Sequence, residues 1–208
     1  MSETGVESLP KVFRSTGVAG EVRMLFVGRL TRSKGVRDAI RALGSLGRKG
    51  RWRFDILGDG EDRVACEHEA RLLGVSEYVR FHGQVPRSVV GEFLVQADIF
   101  LFPSFREPSG NALLEALAFG VPAVVADTGG PGHVVTEECG FRVAASDPES
   151  FSFELADALR RLLDDPKLRQ RMGEAARKRV GDVFLWRNKI VAMSEIYHDV
   201  VKSSCEGK

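Results

Sequence analysis

Three cysteines among 208 residues, Cys66, Cys139 and Cys205, are odd in number, far apart and without metal-ligand spacing. They exclude a disulfide framework and a thiolate metal site, and reduced thiols in a reducing compartment are the simplest account. The opening MSETGVESLPKVFRS has no apolar core like that of a secretory signal. No run nears the ~20 apolar residues that span a bilayer. An excess of one charge is missing too: 30 Lys and Arg face 29 Asp and Glu. No global field therefore draws the chain to nucleic acid or to an acidic membrane. There is no internal repeat, no low-complexity segment and no P-loop pattern. The dinucleotide fingerprint G-x-G-x-x-G fails at its third glycine, because Gly58-Asp59-Gly60 is followed by Arg63 at that position. With 43% hydrophobic residues the chain can bury a sizeable core, and a soluble, cytoplasmic protein is expected.

What is present is an alternation. Short apolar runs at 23–27 (RMLFV), 53–57 (RFDIL), 78–81, 98–102, 122–126 and 140–143 read as strands. Between them, 34–46, 61–73, 87–95 and 111–119 carry helical periodicity, and a short helix can start near Pro131. The pattern predicts a Rossmann-like α/β/α sandwich with a parallel sheet of about six strands. Helices over 150–163, 166–180 and 185–201 then close the chain. The expected organisation is a flexible lead-in at 1–20, a nucleotide-binding domain at 21–183, and a C-terminal helix and tail at 184–208. On that last helix Phe184, Trp186, Ile190, Met193 and Tyr197 form an apolar stripe, most simply read as core packing.

Most of the chemistry hangs on 105–122, FREPSGNALLEALAFGVP. A strand-like run ending at Pro103 leads into a polar loop and then a helix, with Ser109 as candidate N-cap. Such a junction aims backbone N–H groups and the positive end of a helix dipole at one spot, which suits a phosphate. Glu107 in the loop and Glu115 in the helix frame it, and Glu115 shares a face with Asn111. Carboxylates accept hydrogen bonds in pairs, as vicinal sugar hydroxyls donate them. Taken alone, both could equally be solvated surface charges.

The run from Glu107 through GNALLEALAFGVPAV resembles the E-x7-E signature of nucleotide-sugar-dependent retaining glycosyltransferases of the GT-B fold, family 4, also called glycosyl transferases group 1. The resemblance implies that Glu107 contacts hydroxyls of the donor sugar, that Glu115 holds the ribose, and that amides at Ser109, Gly110, Asn111 and Ala112 approach the sugar and diphosphate. Other strand exits fit. Gly28-Arg29-Leu30-Thr31-Arg32-Ser33-Lys34-Gly35 is similar to the family's G-R-L-x-x-x-K-G loop, which implies that Arg29 and Lys34 meet the leaving diphosphate. Gly58 and Gly60 match its G-x-G turn, and His82, Gly83 and Gln84 fall where relatives seat the base. His82 is equally readable as a packed, hydrogen-bonded side chain. The Gly129-Gly130 turn after the fifth strand lacks the Glu that relatives often carry beyond it, so no contact is assigned there.

By resemblance the reaction is hexosyl transfer from a UDP-, GDP- or ADP-sugar to an acceptor hydroxyl, with retention. No cofactor is implied, and no metal, since the D-x-D pairing of metal-dependent glycosyltransferases is absent. The resemblance covers about residues 21–200, the C-terminal donor-binding half of a two-domain enzyme. The acceptor domain would have to come from elsewhere, and the C-terminal stripe can seek it, because closing helices in the family cross back to that domain. A full-length enzyme could sit at the inner membrane face. Two alternatives stay open: a non-catalytic nucleotide-sugar-binding subunit of a split enzyme, and a GT-B-fold epimerase.

Overall fold

A computed structural model describes residues 5–11, 20–47, 52–108 and 110–206. Six strands, β1 (Val22–Val27), β2 (Trp52–Leu57), β3 (Val79–Gly83), β4 (Ile99–Phe102), β5 (Ala123–Ala126) and β6 (Gly140–Val143), form one parallel sheet. Each of the predicted strands is present within two residues of its expected bounds. β4 and β5 are buried along their whole length, which is why they read as unbroken apolar runs: helices cover both faces. β3 lies at the edge, and its buried Val79 is followed by exposed Arg80.

Helices α1 (Val36–Ser45), α2 (Arg63–Leu72), α3 (Arg87–Gln96), α4 (Asn111–Ala118), α5 (Gly129–Val134), α6 (Pro148–Asp164), α7 (Pro166–Arg179) and α8 (Trp186–Glu206) complete the alternation. One helical layer joins α1 to α2 and α6, and the other packs α4 against α7. The order β3-β2-β1-β4-β5-β6 places the topological switch between β1 and β4. Chains leaving neighbouring strands there diverge to opposite faces, opening a crevice at the strands' carboxyl ends. The two motif-bearing loops, after β1 and after β4, flank this crevice.

α6 starts at Asp147, whose Oδ1 accepts the N–H groups of Glu149 (3.1 Å) and Ser150 (3.0 Å). These bonds, Ser150's first, hold the Asp147 carboxyl below the usual carboxylate range. Because the folded value is depressed, the cap stabilises above about pH 4 and is lost as pH falls through the lowered value. Thermal melts from pH 7 to 2 should show the gap between wild type and Asp147→Ala narrowing below about pH 4; a constant gap contradicts this cap.

Within the expected lead-in, residues 5–11 are seated against the chain's far end. Val6 N–H donates to Phe184 O (2.9 Å), and Trp186 N–H donates to Val6 O (3.0 Å). Arg177 clips this segment to the fourth helix, donating to Pro10 O (2.8 Å) and Ala118 O (2.7 Å). Residues 1–4 and 12–19 lie outside the described residues. The apolar stripe departs from the core-packing expectation. Phe184 and Leu185 are buried, but Trp186, Ile190, Met193 and Tyr197 are 41–64% exposed, because α8 leaves the core along a π-helical turn, Val180–Phe184. Cys66 is buried, which pushes its thiol up to about 12 and leaves it inert. No described helix is long and apolar enough to cross a membrane.

Candidate functional site

The exits of β1, β4 and β5 are laced together by hydrogen bonds to backbone carbonyls. Phe105 N–H donates to Ser33 O (2.9 Å), joining the first loop to the fourth. Thr128 Oγ1 donates to Ser104 O (3.1 Å) and Gly130 N–H to Glu107 O (3.1 Å), joining the fifth to the fourth. A Cβ at Gly130 would lie 2.8 Å from Pro108 O, so glycine is what lets the fifth loop approach this closely. The Gly129-Gly130 turn thus buttresses the acidic loop, a role that sequence reasoning left unassigned.

This lacing brings Lys34 to Glu107 across the β1/β4 switch. Lys34 Nζ lies 2.5 Å from Glu107 Oε2, and the two side chains are only 19% and 12% exposed. Glu107 Oε1 accepts Gly110 N–H (3.0 Å) at the start of α4. The carboxylate is therefore held at both oxygens, with an ammonium on one side and a helix N-terminus on the other. Gly110 itself, at φ 67°, occupies the cap position of α4; Ser109 lies outside the described residues. The first amides of a helix lack intrahelical acceptors, so those of Asn111 and Ala112 add to the positive end of the dipole.

Arg29 is brought to a different place. It lines a groove of about 300 Å³ with Gly28, Gly58, Asp59, Gln84 and Val85, at the carboxyl ends of β1 to β3. The Asp59 carboxyl is kept below its ordinary range by the Gly60 N–H and then by Arg63. Gly83 O accepts Gly58 N–H (2.7 Å), tying the second and third exits. His82 turns to the sheet: Nε2 is 2.7 Å from the buried Asp55 Oδ1, and its ring meets Phe93 edge-on at 4.8 Å. The β2–β3 register skips His82, pairing Ile56 with Phe81 and Leu57 with Gly83, so this residue sits at an irregularity.

Glu115 faces a cleft of about 530 Å³ lined by Asn111, Phe119, Trp186 and the segment from Gly5 to Pro10. Its Oε1 accepts from Arg87 Nη2 at 2.6 Å. Arg87 is a residue that sequence reasoning missed; the available signal was its place at the first turn of α3, three residues after Gln84.

The family model "Glycosyl transferases group 1" matches residues 11–179. The chain belongs to this glycosyltransferase family. It is 36% identical over 180 residues to a glycogen synthase of Mycobacterium tuberculosis, covering 86% of this chain and 42% of the relative. Sucrose-phosphate synthase from Thermosynechococcus elongatus superposes with a TM-score of 0.79 at 25% identity, over 96% of this chain and 52% of that one. The C-terminal domain of a glycosyl transferase group 1 protein from Francisella tularensis shares the fold, with a TM-score of 0.75 at 20% identity. That structure is covered in full by 88% of this chain. The chain thus spans about two fifths of the curated relative it matches.

Proposed function

We propose that this chain is the donor-binding, C-terminal half of a retaining, metal-independent family 4 glycosyltransferase. It transfers a sugar from a nucleoside diphosphate sugar to an acceptor hydroxyl. One observation carries the proposal: Lys34 from the first exit, Glu107 from the fourth and the α4 N-terminus meet at the topological switch. When the bond to the β-phosphate breaks through an oxocarbenium-like transition state, negative charge grows on the leaving diphosphate. Lys34 and the α4 amides stabilise that charge. Glu107, fixed at both oxygens, orients the sugar hydroxyls, and Glu115 holds the ribose. The groove beside Gln84 and Val85 receives the base.

The acceptor side is supplied by another segment or chain. Its support is that this chain matches only 42% of the mycobacterial glycogen synthase but the whole of an excised C-terminal domain. Alone, the chain binds donor and transfers sugar slowly or not at all. A thermal-shift panel of UDP, GDP, ADP and their sugars tests the proposal. A nucleotide at 100 times its dissociation constant adds about 2.7 kcal/mol, or roughly 5–10 °C for a chain of this size. Glu115→Ala and Lys34→Ala should each shrink that shift. No shift with any member of the panel contradicts the proposal. Turnover of a nucleotide sugar without an acceptor would mark an epimerase instead.

A further inference from the structure

Arg87 is the first residue of α3, and its side chain is 90% exposed, yet it reaches α4 to bind the Glu115 carboxylate at 2.6 Å. Arg87 lines one depression and follows the residues of another closely in sequence. The first is the cleft that Arg87 shares with Asn111 and Glu115. The second is the groove lined by Gln84 and Val85, only a few residues before Arg87. A nucleoside whose ribose is held by Glu115 meets a guanidinium that already occupies Glu115 Oε1.

We infer that Arg87 is a latch over the ribose site, competing with the ribose hydroxyls for Glu115 and lowering affinity for nucleotides that carry a ribose. The inference rests on the donor-site reading above. An ion pair this exposed contributes about five-fold at most to an equilibrium constant, and less at high salt. It therefore sets a displaceable threshold rather than a block. Arg87 acts through Glu115 and is a positioning residue, not a catalytic one.

The test compares wild type, Arg87→Ala and Arg87→Lys, binding inorganic pyrophosphate and whichever of UDP, GDP and ADP stabilises the wild type most. Removing a cation weakens any diphosphate, so the readout is the preference for nucleotide over pyrophosphate. Opening the latch should raise that preference about two- to five-fold in Arg87→Ala at low salt. The gain should shrink toward none near 1 M salt, where the Debye length falls to about 3 Å. Arg87→Lys, which keeps the charge but loses the fork, should fall between the two. A preference unchanged or lowered in Arg87→Ala overturns the latch while leaving the donor site intact. Absence of nucleotide binding by the wild type would overturn both, and the wild-type titration alone reveals it.

Discussion

Lys34→Ala is expected to slow sugar transfer by about 100- to 1,000-fold, measured with an acceptor-binding half present in cis or in trans. The ammonium sits 2.5 Å from Glu107 in a largely buried corner, with the α4 N-terminus beside it. There a fixed charge acts on the leaving diphosphate with little screening. Because negative charge on the diphosphate peaks in the transition state, turnover should fall further than donor affinity. Lys34→Arg should recover part of the loss: it restores the charge but not the compact head that fits against Glu107. A loss below ten-fold, with folding intact, contradicts the role given to Lys34.

Gly35→Ala should be among the damaging single methyls in the loop system. Gly35 has φ 69°, and a Cβ there would lie 2.0 Å from the Pro103 carbonyl oxygen. The left-handed conformation alone costs an L-residue roughly 1–2 kcal/mol. The clash adds to this by prising the first exit from the fourth, where Phe105 N–H donates to Ser33 O. The expected loss is about 3–5 kcal/mol, or roughly 6–20 °C in Tm. Gly47 separates the two effects. It has φ 72° but nothing within 4 Å of its would-be Cβ, so Gly47→Ala should show only the conformational part, about 1–2 kcal/mol. Equal losses at the two positions would refute the close-approach account.

The strands were legible because helices cover the sheet on both sides. Runs such as 99–102 and 123–126 therefore needed no polar face, and their continuity showed in the letters. The meeting of Lys34 with Glu107 was legible once the alternation implied a parallel sheet, since loops after strands of such a sheet gather at one end. What stayed hidden was set by geometry that residue types do not encode. The pairing of Arg87 with Glu115 joins one exposed side chain to a helix 28 positions away, and neither periodicity nor composition marks it. The turn of His82 toward Asp55 depends on an irregularity in the β2–β3 register. Trp186, Ile190, Met193 and Tyr197 have the same helical spacing whether they face the chain's own core or leave it. The paired glycines 129 and 130 read as a bare turn until the Glu107 and Pro108 carbonyls are seen against them.

The most direct measurement is a crystal structure of the chain with the nucleoside diphosphate that stabilises it most. The account predicts a pyrophosphate within hydrogen-bond reach of Lys34 Nζ and the first α4 amides, with ribose hydroxyls on Glu115 and the Arg87 guanidinium displaced. A nucleotide bound away from the β1/β4 switch, leaving Lys34 on Glu107 alone and Arg87 still on Glu115, would contradict it.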